Sequence, residues 1–269
     1  MSAVTASETE RAPMLLRDDA GDGIVVLTLN RPDAFNALSS DLMTVVQDEL
    51  DALAEDPAAR AIVIEGAGRG FCAGHDLKEV RALPSIEARK TLMAQCCRLM
   101  ETVVNHPKPI IAKVHGIATA AGCQLVASCD LAIAASDARF ATPGVNIGLF
   151  CHTPMVALGR SVARKHAMEM LLTGEMVDAE TAAGYGLINR HVPADELHEA
   201  VLEMARKITS KSSYVVKIGK RAFYRQLEMN LSDAYAYASE VMVENMLARD
   251  AEEGISAFIE KRTPAWRDE

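Results

Sequence analysis

The chain has 269 residues, 49% of them apolar and 24% charged, with a formal net charge of −9. That size and composition describe one large globular domain, or a domain with a helical appendage, able to bury a sizeable core. The acidic balance argues against nonspecific nucleic-acid binding, and no run of 18 apolar residues is present to span a membrane.

From the N-terminus, Met1 to Ala12 is polar and lacks an apolar core, so neither a signal peptide nor an Arg-rich transit peptide is evident. Residues 1–15 are read as a disordered tail. Ile24 to Leu29 is a strand stopped by Asn30-Arg31-Pro32-Asp33, and Ala37 to Ala54 repeats apolar residues at helical spacing with Ser39 or Ser40 as cap. Ala61 to Glu65 is a second strand. Ile86 to Asn105 is a helix ended by His106-Pro107, Ile110 to Val114 a third strand, Ala121 to Ser128 a short buried helix, and Leu131 to Ala135 a fourth strand.

This alternation predicts βαβ units and a mostly parallel sheet. From Val162 the pattern becomes helical: 162–173, 179–186, 194–209, 214–229 and 233–249, with only a short strand-like piece at 188–192. The expected organisation is α/β, with a core over 16–195 and a C-terminal helical module over 196–269.

Six cysteines stand at 72, 96, 97, 123, 129 and 151 without a C-x-x-C pair. A zinc site or disulfide framework is therefore not expected, and reduced thiols in the cytoplasm are the natural reading. No metal or separate cofactor is implied.

Two turns carry the chemistry. Gly70-Phe71-Cys72-Ala73-Gly74-His75-Asp76-Leu77 and Gly116-Ile117-Ala118-Thr119-Ala120-Ala121-Gly122-Cys123-Gln124 each follow a strand and enter a helix. Small residues there let a ligand approach the backbone, and a helix start presents free N–H groups. Two such turns side by side would aim two donors at one carbonyl oxygen, the layout of an oxyanion hole.

Those segments, with Leu29-Asn30-Arg31-Pro32, Asn36-Ala37-Leu38, Cys129-Asp130, Leu172-Thr173-Gly174, Ala183-Gly184-Tyr185-Gly186-Leu187-Ile188 and Ala257 to Arg262, resemble the crotonase, or enoyl-CoA hydratase/isomerase, superfamily. The resemblance runs from about residue 20 to 265 with the motifs in order. It implies a spiral of ββα units wrapped by C-terminal helices, a homotrimer or a dimer of trimers, and an acyl-CoA substrate whose coenzyme A is part of the thioester. Carried over by motif, the two N–H donors are His75 and Ala121, each contributing roughly 3–4 kcal/mol to an anionic transition state. The CoA side falls to Ala34 and Phe35, with Ala73 and Leu77, and to Lys261 near the C-terminus.

The resemblance also places the family's two catalytic glutamates at Gln124 and at Gly144, after Pro143. Neither can exchange a proton, and each positioned acid or base is worth about 10²–10⁴ in rate. Efficient hydration is not expected unless other groups substitute. Cys151 and His152, where the family's loop closes the acyl pocket, are candidates as acid, base or nucleophile, although sequence neighbours need not face the same way. Each has a plain structural alternative: Cys151 as a small core residue, Gln124 as a buried amide that holds the fold, and His75 as a backbone donor with an idle ring.

Ala73-Gly74-His75-Asp76 and Thr142-Pro143 also resemble methylmalonyl-CoA decarboxylases of the family, which need enolate stabilisation but no paired glutamates. Residues 117–124 resemble the subgroup of enoyl-CoA hydratase domain-containing proteins. The leading expectation is thus an acyl-CoA enzyme, nominally a hydratase/isomerase-like lyase, that stabilises a thioester enolate. Its alternatives are a decarboxylase of a malonyl- or methylmalonyl-type CoA and a non-catalytic acyl-CoA-binding protein.

Overall fold

A computed structural model describes residues 12–269. Nine strands and eleven α-helices follow in chain order among them: β1 Leu15–Asp19, β2 Ile24–Leu29, α1 Ser40–Glu55, β3 Ala61–Gly66, α2 Leu77–Ala82, α3 Ile86–Asn105, β4 Ile110–Val114, β5 Ile117–Thr119, α4 Ala121–Ser128, β6 Leu131–Ala135, β7 Arg139–Ala141, α5 Pro154–Ser161, α6 Arg164–Thr173, β8 Val177–Asp178, α7 Ala179–Tyr185, β9 Arg190–Val192, α8 Leu197–Thr209, α9 Ser213–Gln226, α10 Leu231–Met246 and α11 Arg249–Glu260.

The main sheet runs β1-β2-β3-β4-β6-β9. Only β1 is antiparallel, and the other pairings are parallel, with Ile62 opposite Ile110 and Ile111 opposite Leu131. Its central strands β2, β3, β4 and β6 are largely buried and apolar on both faces, as a covered parallel sheet requires. Along β2, Val25, Leu27 and Leu29 pack into the larger core, while Ile24 and Val26 turn to the opposite face. A small second sheet, β5-β7-β8, carries the start of α4.

The helices begin where side chains supply the missing acceptors. Ser39 accepts from Leu42 N at 3.2 Å to start α1, and Ser85 accepts from Ala88 N at 3.1 Å to start α3. Pro107 ends α3 by disfavouring helical backbone at His106.

Three boundaries differ from expectation. The tail assigned to residues 1–15 lies largely outside the described residues, but its last members are built into the sheet: Asn30 N donates to Met14 O at 2.7 Å, and Leu15 pairs with Leu29. The division at residue 195/196 does not coincide with a break in packing. Leu197, Val201, Leu202 and Ala205 of α8 cover the sheet face formed by Ile24, Val26, Val63, Ile111 and Ile133. The helix expected over 233–249 is α10 and ends at Met246; after a turn at Leu247–Ala248 a further helix, α11, follows that the apolar spacing did not announce.

The C-terminal segment returns to the sheet. Arg60, just before β3, donates to Thr209 O at 3.0 Å and pairs with Asp268 at 2.7 Å, while Trp266 Nε1 donates to Ser210 O at 2.9 Å. No helix among the described residues is long and apolar enough to cross a membrane.

Candidate active site

Because β3 and β4 are parallel neighbours, the segments that follow them leave the sheet at the same end, where α/β proteins commonly bind ligands. Backbone hydrogen bonds stitch the two together. Phe71 N donates to His115 O at 2.9 Å, Cys72 N to Ile117 O at 3.1 Å, and Thr119 N to Cys72 O at 2.9 Å. The approach is so close that a Cβ on Gly122 would stand 2.0 Å from Cys72 O.

Gly74 is the contact point. Its φ is +96°, and a Cβ there would lie 2.8 Å from Ala120 Cβ and 3.1 Å from Ala121 N. Ala120 itself adopts φ 49°, ψ −118°, a strained conformation for a residue with a side chain, and donates to Ala141 O at 2.9 Å. This turn frees the first N–H of α4. Among the described residues, neither the His75 N–H nor the Ala121 N–H has an acceptor.

Two side chains within the quoted motifs brace the arrangement. Buried Asn36 donates to Ala67 O at 2.9 Å and Gly70 O at 2.8 Å and accepts from Arg31 N at 2.9 Å. Asp76 caps α2 through Lys78 N at 3.1 Å and pairs with Arg31 at 2.9 Å. The hydrogen bond from Arg31 holds the Asp76 carboxyl below the usual carboxylate range.

His75 is half-buried, and burial pulls its imidazole below the ordinary pKa of 6.5, opposed by the charge of Glu79. The ring is therefore neutral near pH 7. Gln124, one turn into α4, is 4% exposed and leaves its Oε1 without a partner. It lines a cavity of about 970 Å³ between α3, α4, α5 and α9, together with Cys97, Met100, Thr153 and Tyr224.

Cys151 and His152 stand in different surroundings. Cys151 is buried against Gly144, and burial pushes its thiol pKa up. His152 is exposed, its ring 5.2 Å from that of Phe150. On the expected CoA side, Ala73 N donates to Phe35 O at 3.0 Å, which brings the Ala34–Phe35 turn against the Ala73–Leu77 turn, and Leu77 is exposed. Lys261 is exposed at the end of α11, on the C-terminal segment anchored near Arg60, and no hydrogen bond or ion pair among the described residues joins it to that wall.

Residues 19–269 match the family described as enoyl-CoA hydratase/isomerase. The chain is 46% identical over 257 residues to the mitochondrial enoyl-CoA hydratase domain-containing protein 3 of Rattus norvegicus, covering 96% of this chain and 86% of that protein. A crystal structure of an enoyl-CoA hydratase from Mycobacterium smegmatis is 52% identical, with a TM-score of 0.93 over 95% of this chain and 99% of that one. The structure of the human enoyl-CoA hydratase domain-containing protein 3 is 44% identical, with a TM-score of 0.91 over 94% and 100%.

The rat, mouse, frog, human and zebrafish relatives are all named mitochondrial, which overturns the expectation of a cytoplasmic protein. Free cysteines distinguish reducing from oxidising surroundings, and they do not separate one reducing compartment from another.

Proposed function

Because the chain belongs to the enoyl-CoA hydratase/isomerase family, we propose that it binds an acyl-CoA thioester and stabilises the thioester enolate between the N–H groups of His75 and Ala121. The observation that carries this reading is the pair of N–H groups without acceptors at the Gly74–Ala121 contact. Donors held in place before charge develops cost no reorganisation at the moment of reaction, which makes such a pair effective.

Ordinary hydration is weak in this reading. Adding water across the double bond needs a base to activate the water and an acid to protonate the α-carbon. Gln124 and Gly144, at the positions where family resemblance puts the two glutamates, supply neither. Cys151 is no substitute base, since burial keeps its thiol protonated near neutral pH. His152 is exposed and turned toward Phe150 rather than packed with Cys151.

Coenzyme A enters as part of the substrate, along Ala34, Phe35, Ala73 and Leu77. Lys261 would reach a CoA phosphate from a neighbouring subunit. Exposed apolar residues on the last two helices and the turn between them, including Leu231, Leu247, Phe258 and Ile259, support assembly into a homotrimer or a dimer of trimers.

The combination of retained donors and missing acid–base groups also favours a second reaction. Decarboxylation of a malonyl-type thioester breaks the C2–carboxylate bond, releases carbon dioxide and leaves the electron pair as the enolate. Its slow step needs the N–H pair but no general base. Incubating the protein with enoyl-, hydroxyacyl- and malonyl-type CoA thioesters, with mass-spectrometric readout, separates these possibilities. Gain or loss of water at high rate would refute the weak-hydratase reading, and loss of carbon dioxide would establish the second. Thioesters bound but unchanged would indicate a binding protein.

A further inference from the structure

Little in the core holds the last two helices. α10 has no buried residue, α11 has only Asp250 and Ala257, and no residue of either belongs to the two buried apolar clusters. The side-chain contacts of α10 go to α9: Arg225 stands 4.5 Å over the Tyr237 ring, and Tyr214 OH donates to Glu244 at 3.5 Å. An arm attached through one helix and a few exposed contacts has low local stability unless something else ties it down.

The chain after α11 supplies that tie. Lys261, at φ 56°, ends the helix and turns the chain back along it. Arg262 then pairs with Glu253 at 2.9 Å, and Ala265 N donates to the same carboxylate at 2.7 Å. Nearer the start of α11, Arg267 N and Asp268 N donate to the two oxygens of Asp250 at 2.7 and 2.9 Å. Between them the indole of Trp266 lies on Gly254, where a Cβ would stand 3.1 Å from the ring. Asp250, Gly254 and Ala257 share one face of α11 by helical spacing, and both buried residues of the helix are on it.

The same segment also grips the core. Trp266 Nε1 donates to Ser210 O at 2.9 Å, at the end of α8. Asp268 pairs with Arg60 at 2.7 Å and accepts the Ser213 N–H, at the start of α9, at 2.6 Å. Arg60 is itself fixed beside β3 by donating to Thr209 O at 3.0 Å and Lys211 O at 2.6 Å.

We propose that residues 262–269 are a clasp that fixes the α10–α11 arm to its own core, with Trp266 and Asp268 as positioning residues for Lys261. Lys261 is where the clasp leaves the helix, so the closed clasp sets where its ammonium stands. An open clasp frees the arm to move about its connection to α9 and carries Lys261 with it. The role of Lys261 rests on the acyl-CoA reading of the site, in which its ammonium meets a CoA phosphate.

Hydrogen exchange of the full chain, read by mass spectrometry, tests the clasp. Trp266→Ala and Asp268→Ala should each speed exchange in α10 and α11 by about tenfold or more and leave β2, β3 and β4 unchanged. Asp268→Glu, which keeps the carboxylate, should stay closer to the parent chain. A chain ending at Thr263 gives the same reading should the point variants fold poorly. Unchanged exchange in the arm would overturn the proposal. So would an equal rise in sheet and arm, which marks general destabilisation.

Calorimetry with butyryl-CoA and with butyryl-pantetheine, which lacks the nucleotide and every phosphate, tests the placement of Lys261. Lys261→Ala should weaken butyryl-CoA binding about fivefold, the scale of an exposed ion pair, and leave butyryl-pantetheine binding unchanged. Trp266→Ala and Asp268→Ala should reproduce that split. Undiminished butyryl-CoA affinity in these variants, or equal losses for both thioesters, would overturn the positioning role. If the parent chain binds neither thioester, the acyl-CoA reading itself has failed, and hydrogen exchange still decides the clasp.

Discussion

A Cβ on Gly144 would stand 3.0 Å from Cys151 Sγ and 2.6 Å from the carbonyl oxygen of Leu149. The buried thiol therefore occupies space that a side chain at residue 144 would need. A side chain at residue 144 and the thiol at residue 151 compete for one space. Gly144→Glu should consequently fail to create a hydratase and should destabilise the fold by about 1–3 kcal/mol, the usual cost of overpacking. Adding Cys151→Gly should recover part of that loss, because one of the two obstacles goes. Urea denaturation of the single and double variants measures the coupling; strictly additive effects would show that the two positions do not compete.

Gly74 is fixed by conformation and by space. Its φ of +96° disfavours any side chain, and its neighbours at 2.8–3.1 Å are Ala120 Cβ, Thr119 O and Ala121 N. Gly74→Ala must separate the two turns that present the His75 and Ala121 N–H groups. Butyryl-CoA affinity should fall by at least about tenfold, with about 1–3 kcal/mol lost in stability. Calorimetry together with a thermal melt tests both effects, and undiminished affinity would place the carbonyl elsewhere.

Lys220 ties α9 to the core. Its Nζ, on a side chain only 7% exposed, meets Asp130 Oδ2 at 2.7 Å and the carbonyl oxygens of Lys108 at 3.1 Å and Val103 at 3.3 Å. Tyr224 OH donates to the other Asp130 oxygen at 3.0 Å. Burial pulls the Lys220 ammonium below its usual pKa, and Asp130 opposes that pull. Lys220→Met leaves Asp130 short of its cation, so it should cost about 3–5 kcal/mol. Faster hydrogen exchange in α9 than in α3 would accompany that loss. A neutral substitution would mean that the cavity wall formed by α9 is held by packing alone.

His106 predicts a pH dependence. It is 3% exposed, with Nε2 3.0 Å from Leu50 O, and burial holds its pKa below the ordinary 6.5 despite these hydrogen bonds. The unfolded chain then takes up a proton at higher pH than the folded chain does. The contribution is complete above about pH 6.5 and is lost as pH falls toward the depressed folded value. Half-buried His75 shifts the same way. The denaturant midpoint should drop between pH 7.5 and pH 5.5, and drop less in His106→Gln. The carboxylates held low, such as Asp76, act only in more acidic solution.

Much of this was legible in the sequence where local pattern and tertiary role agree. The limits of α3, β4, α4 and β6 follow from apolar spacing, caps and Pro107. Other elements carry no local signal. β1, Leu-Leu-Arg-Asp-Asp, is an edge strand with four exposed residues, and β5, β7 and β8 have three, three and two residues, formed by their pairing partners rather than by propensity. In the site, glycine-rich turns marked the two segments carrying His75 and Ala121, which meet at Gly74. The positive φ of Ala120 could not be read from an alanine, and the hydrogen bonds of Asn36 emerge only when distant segments meet. At Cys151-His152 the chain sends one side chain inward and the other out, as neighbours in sequence need not face the same way.

The central claim is that two backbone N–H groups polarise a thioester carbonyl, and its vibration reports this directly. Infrared difference spectroscopy of butyryl-CoA carrying a 13C-labelled thioester carbonyl, free and bound, would isolate that one bond. A bound carbonyl stretch shifted to lower frequency, with the shift lost in Gly74→Ala, is the predicted result. A bound thioester that keeps its solution frequency would contradict the account.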